Sequence, residues 1–176
     1  MPAANTGTVL ITGANGGLGS AIAEQIASNT ELSSLHGIYT VRDASAAPAL
    51  KSVLARGNSS HPHNILSLDL TNLVNVREVA KGINVRLGGP RWWHHCCIIL
   101  LNNCQARVSS GDLPPIRVLV LAAGFQDFGK QSWTEDGLDT TFAANYLGHW
   151  LLALLLLKSI DRSAGRIIII GSQGHE

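Results

Sequence analysis

The sequence predicts an α/β fold, a doubly wound parallel sheet with helices on both faces. Three observations predict it. Short β-branched runs alternate with segments of helix length and helix spacing. The run RVLVL (117–121) has no polar alternation, as expected of a strand covered on both faces. A glycine-rich turn, TGANGGLG (12–19), stands between the first strand and the first helix. Units in this order join in parallel through right-handed crossovers.

The elements follow in order. Thr8–Thr12 is the first strand. Leu18, Ile22 and Ile26 recur at i, i+4 and predict a helix from Leu18 to Ala27. His36–Val41 is the second strand, and Ala44–Arg56 a helix closed by Gly57-Asn58. Ile65–Leu68 is the third strand. Thr71 or Asn72 can cap the next helix, which carries Leu73, Val76, Val79 and Ile83 on one face. Arg117–Leu121 is the fourth strand. Ser132-x-x-Glu135 has the form of a capping box and predicts a helix over about 135–159. Gly165 to Gly171 holds a fifth strand, Arg166–Ile170, that reads as buried.

The 176 residues suffice for one domain, 1–176. A composition 45% hydrophobic and 14% charged, with net charge +1, gives no electrostatic case for nucleic acid or an anionic membrane surface. The runs LLALLLL (151–157) and RIIIIG (166–171) fall short of the roughly 20 residues a membrane span needs. Met1 to Gly13 has no basic leader, so a cytoplasmic location is expected. Cys96, Cys97 and Cys104 are odd in number and clustered, which is no disulfide framework.

Gly13, Gly17 and Gly19 form the pattern TGxxxGxG. In a dinucleotide loop of this kind Gly13 makes the turn and Gly17 admits the pyrophosphate to the backbone. Gly19 allows close packing of helix on strand, and the helix N-terminus, with Leu18 in its first turn, faces the phosphate charge. A glycine turn without a ligand is the plain alternative. The place of the loop, between strand and helix, favours the nucleotide.

With these residues placed, the chain resembles the short-chain dehydrogenase/reductase family over all but one stretch, and residues 117–149 are similar to its fungal members. The resemblance implies a Rossmann-type fold with about five of the family's seven strands. It implies that Asp69 is the adenine-contacting aspartate. In LAAG (121–124) Gly124 is kept, while Ala122 stands where the family has an asparagine. Asn145, in AANYLGHWLL, matches the helix asparagine that supports a water in the proton relay. Ser172, in IIGS, matches the catalytic serine, which binds the substrate oxygen. At the end of the second strand Arg42 lies where NADP-using members carry a base, and a guanidinium there holds a 2′-phosphate. Asp43 leaves NAD open. The implied activity is hydride transfer between NADP and a small-molecule carbonyl or alcohol, with secondary metabolism as its setting.

The family's general acid/base is a tyrosine with a lysine four residues on, about a dozen residues after the serine. Four residues follow Ser172. Tyr39 has Asp43 four residues on, and Tyr146 has Trp150. The chain as given is therefore expected to be truncated before its Tyr-x-x-x-Lys motif and inactive. A non-catalytic nucleotide-binding protein is the alternative. The fifth strand is expected to have an open apolar edge, and the helix over 135–159 is a surface through which copies could pair.

Residues 85–105, VRLGGPRWWHHCCIILLNNCQ, read unlike the rest. His94, His95, Cys96, Cys97 and Cys104 are zinc-ligand types, but adjacent ligands and the lack of C-x₂-C spacing argue against a metal. A partner-binding or membrane-binding loop built on Trp92 and Trp93 is a second reading. The favoured one is a retained intron: joining Asn84 to Ala106 restores a connection of the family's length, and the segment begins with a valine codon, necessarily GT.

Overall fold

The computed structural model describes residues 7–87, 113–127 and 129–172. Residues 88–105 of the atypical insert, and with them the zinc, loop and intron readings, lie outside the described residues. Of the insert, Val85 and Arg86 continue a helix from the preceding chain.

Among the described residues nine elements alternate: β1 (Thr8–Thr12), α1 (Gly17–Ser28), β2 (His36–Val41), α2 (Pro48–Arg56), β3 (His63–Ser67), α3 (Leu73–Arg86), β4 (Ile116–Leu121), α4 (Thr140–Ser159) and β5 (Arg166–Ile169). The five strands form one sheet in the order β3-β2-β1-β4-β5, every pair parallel. This is the doubly wound, Rossmann-like arrangement that the sequence predicts.

Alternation along β1 sets the two cores. Val9 and Ile11 face one side, where Tyr39, Ala23, Ile26, Leu50 and Val53 pack beneath α1 and α2. Leu10 faces the other, with Ile38, Leu119 and residues of α3 and α4. Leu152 and Leu156, four apart on α4, are fully buried with Val76, Ala80 and Ile83 of α3. Truncating Leu152 to alanine would cost about 2–5 kcal/mol. By length and composition α4 could cross a membrane, which the short apolar runs did not suggest, but here its buried face belongs to the core.

Three elements depart from expectation. α2 starts at Pro48, not Ala44, because proline lacks an N–H and suits the first helical turn, while Asp43 ties Ser45 into a tight turn ahead of it. The capping box at Ser132 and Glu135 does not form. Residues 133–139 instead make a turn in which Thr134 N–H donates to Leu138 O (2.8 Å), with Gly137 at φ +71, and Asp139 caps α4 through Phe142 N–H (2.8 Å). The helix named for pairing of copies therefore spans 140–159, not 135–159, and the pairing itself stays an expectation. Finally, β5 is not buried: among the described residues it is an edge strand with one neighbour, and Ile169 is 73% exposed. Its open apolar face matches the expected open edge.

Candidate functional site

Because all strands run one way, their carboxyl ends share one rim of the sheet. The order reverses between β1 and β4, so the loops leaving these strands diverge and open a crevice. An open cleft of about 770 Å³ lies there. Gly13, Gly17, Leu18, Gly19, Arg42, Asp69 and Gly124 all line it.

The glycine loop is built by close approaches. Gly13 has φ +67, and a Cβ on it would sit 2.6 Å from Ala123 Cα. Only glycine allows both that conformation and that contact. A Cβ on Gly19 would run into the carbonyl oxygen of Gly13 and the Ala14 backbone. Gly17 differs, since a Cβ there would meet nothing within 4 Å. Its missing side chain therefore leaves open space at a residue that lines the cleft. α1 begins at Gly17 with no side-chain cap and no acidic residue in its first turn, so its N-terminal partial charge faces the cleft uncompensated by side chains. α3 and α4, by contrast, are capped by Asn72 and Asp139. Asn15 of the loop accepts from Leu50 N–H (3.1 Å) and ties the glycine loop to the start of α2.

At the far wall, Arg42 is exposed and, among the described residues, in no salt bridge. Its neighbour Asp43 is engaged: its Oδ1 accepts from Ser45 N–H (2.8 Å) and Ser45 Oγ–H (2.6 Å). Those bonds hold the Asp43 carboxyl below its ordinary pKa. Asp69 Oδ1 accepts from Thr71 N–H (2.9 Å) and Thr71 Oγ–H (2.7 Å), which fixes the carboxylate at the rim.

Asn145 does not line the cleft. Its amide is paired with the backbone of Phe125, which does: Phe125 N–H donates to Oδ1 (2.8 Å) and Nδ2–H donates to Phe125 O (2.6 Å). It sits within a π turn of α4, Ala143–Leu147. Such turns recur at functional sites. Ser172 lies at the same rim, two residues past Ile170, whose N–H donates to Leu121 O (3.0 Å). It is exposed and does not line the cleft.

Neither tyrosine reaches the cleft. Tyr39 is fully buried against His61 (2.8 Å), and burial drives its hydroxyl pKa up. Tyr146 is exposed on α4 and stacks on Phe142. The described lining holds no lysine.

Sequence reasoning missed one cluster. Thr12 Oγ1 accepts from the N–H groups of Ala122 (3.0 Å) and Ala123 (3.1 Å) and lies 2.8 Å from Nε2 of His149. The available signal was a histidine in the otherwise apolar stretch GHWLLALLLL, since a polar group on a buried helix face requires a partner.

No protein-family model matches the chain. It is 41% identical over 173 residues to the short-chain dehydrogenase iccH of Talaromyces variabilis, covering 97% of this chain and 42% of that protein. It is 33% identical over 171 residues to protochlorophyllide reductase B, chloroplastic, of Hordeum vulgare, covering 95% of this chain and 36% of that protein. The chain thus spans less than half the length of either relative. Among solved structures it is similar to a metagenomic short-chain oxidoreductase in complex with NADP, with TM-score 0.64 and 22% identity over 97% of this chain and 63% of that one. It is also similar to an NADPH-bound carbonyl reductase from chicken fatty liver, with TM-score 0.62 and 18% identity over 95% of this chain and 57% of that one. These structural likenesses concern the fold. The parallel five-stranded sheet, its glycine loop and its homologues together make the chain a member of the short-chain dehydrogenase/reductase family, over the part of that family's fold it spans.

Proposed function

We propose that the cleft binds NADP(H), and that the chain is the nucleotide-binding part of an NADP-dependent oxidoreductase acting on a small carbonyl or alcohol. The observation that carries this reading is Arg42. It is an exposed guanidinium at the end of β2, lining the same cleft as the glycine loop, and the neighbouring Asp43, which also lines the cleft, has its Oδ1 taken by Ser45. An acidic residue turned to the cleft would favour ribose hydroxyls, whereas a guanidinium favours a 2′-phosphate. The residues present fit a dinucleotide. Gly17 leaves open space, the α1 N-terminus offers amides, and Asp69, which the resemblance matches to an adenine-contacting aspartate, lines the same cleft. When bound, the nicotinamide supplies the hydride chemistry. This chain's part would be to grip the phosphates and orient the cofactor, with Gly124 and Phe125 among the cleft-lining residues. By the resemblance, Ser172 would be the residue that holds a substrate oxygen. A setting in secondary metabolism belongs to the same proposal on the resemblance to fungal members, and a cytoplasmic location on the leaderless reading of Met1 to Gly13.

Titration of the chain with NADPH and NADH tests the reading. Micromolar NADPH binding with weaker NADH binding is expected, and equal or absent binding refutes it. A second reading is favoured by one observation: both tyrosines lie away from the described cleft, and no lysine lines it. On that reading the 176-residue chain binds the nucleotide without catalysing reduction. Carbonyl reduction by the purified chain, abolished by Ser172→Ala, would exclude it.

A further inference from the structure

The hydroxyl of Thr12, the last residue of β1, is the meeting point of three hydrogen bonds. A hydroxyl offers one proton and two lone pairs. The amides of Ala122 (3.0 Å) and Ala123 (3.1 Å) can only donate, so they occupy both lone pairs. The single proton must then point at the third neighbour, Nε2 of His149, 2.8 Å away. Nε2 can accept only when it carries no proton, which puts the imidazole proton on Nδ1. Nδ1 faces the main-chain oxygen of Asn145 at 3.3 Å. The hydrogen bonds therefore run in one direction: Ala122 and Ala123 into Thr12, Thr12 into His149, His149 into the π turn. An imidazolium would bring a third donor against an oxygen already saturated. Burial opposes it too, lowering the His149 pKa.

We propose that His149 is a positioning residue of the dinucleotide cleft: as the neutral Nδ1–H tautomer it fixes the Thr12 hydroxyl, and through it the Ala122–Ala123 backbone against which Gly13 is packed. This rests on the nucleotide reading of the cleft. Ala122, Ala123 and Gly124 form the β4 wall, on the opposite side of β1 from Arg42 and Asp43. Loss of the His149 acceptor loosens the β4 wall and spares the β2 wall. The effect should therefore depend on which half of the ligand is present.

Two ligands and three variants test this. On the nucleotide reading NADPH would reach both walls, whereas 2′,5′-ADP lacks the nicotinamide half and would meet the β2 side and the glycine loop without the β4 wall. His149→Leu removes the acceptor. His149→Gln puts an amide oxygen within reach of the Nε2 position, and His149→Asn is too short to do so. His149→Leu is expected to weaken NADPH about ten-fold, the worth of one hydrogen bond, with 2′,5′-ADP changed less than about two-fold. His149→Gln should recover most of the NADPH affinity. Equal losses for both ligands, or no loss for NADPH, would overturn the positioning role. If His149→Leu does not fold, Gln against Asn makes the same comparison. Nitrogen NMR shifts of the wild-type imidazole read the tautomer without any ligand, and an Nε2–H form or an imidazolium at neutral pH overturns the assignment. If the wild type binds neither ligand, the nucleotide reading fails and takes the cleft role with it. The tautomer spectrum then shows separately whether His149 accepts from Thr12.

Discussion

Asn145 and Phe125 hold each other by two hydrogen bonds, from Phe125 N–H to the Asn145 side-chain oxygen and from the Asn145 amide to Phe125 O. The pair ties the loop after β4 to the π turn of α4. Asn145→Ala should cost about 1–2 kcal/mol in urea unfolding, the sum of two exposed neutral bonds. It should also weaken NADPH, because Phe125 lines the cleft. Unchanged stability would mean that the loop holds itself.

Gly17 and Gly19 separate binding from folding. Gly19→Ala drives a methyl into the Gly13 carbonyl and the Ala14 backbone, and should lower stability by about 2–4 kcal/mol. Gly17→Ala meets no neighbour and should hold or raise the melting temperature, since alanine favours a helix by about 1 kcal/mol. Yet it should remove most NADPH binding, because the methyl occupies the space left for the diphosphate. Thermal melts and titrations of both variants decide; full NADPH affinity in Gly17→Ala would place the phosphates elsewhere.

Arg42→Ala tests cofactor choice. The variant should lose at least about ten-fold in NADPH affinity and little in NADH affinity, as removal of one charge-assisted phosphate contact implies. The difference should shrink as salt is raised in the wild type, because Arg42 is exposed. A parallel loss for both nucleotides would show that Arg42 supports the loop rather than the phosphate.

Stability should depend on pH through three histidines. His36, His61 and His149 are each held below the ordinary value of 6.5, first of all by burial. In the folded state they stay neutral at a pH where the unfolded chain takes up protons. Their contribution is complete above pH 6.5 and is lost as the pH falls below it, towards the lowered folded values. His61 accepts the Tyr39 hydroxyl (2.8 Å) and faces Ser33 O (2.9 Å), with His63 stacked beside it and Arg86 acting on nearby His36. Urea midpoints on either side of pH 6.5 should fall on the acid side. His61→Gln should flatten the slope, and a midpoint indifferent to pH would contradict the assignment.

The strands and the glycine loop were legible because their signals are local. Thr8–Thr12 and His36–Val41 are runs whose composition alone decides their state, and TGANGGLG encodes its own turn. α2 and α4 were misplaced at their starts because competing local chemistry won, proline at 48 and the left-handed Gly137 at the turn before Asp139. The burial of β5 was misjudged because composition gives the strand but not its place in the sheet order. The role of His149 depends on Thr12, 137 positions away, and no window of sequence contains both.

The place of β1 in the sheet also governs how the chain can be made. It lies between β2 and β4, and Thr12 and Ala122 stand 110 positions apart. At about 5–20 residues per second of synthesis, roughly 5–20 s pass before the partner for its second edge exists. During that interval Leu10 and Ile11 have only half of their eventual sheet. The central strand of the folded sheet is thus the one that waits longest on the ribosome for its second neighbour.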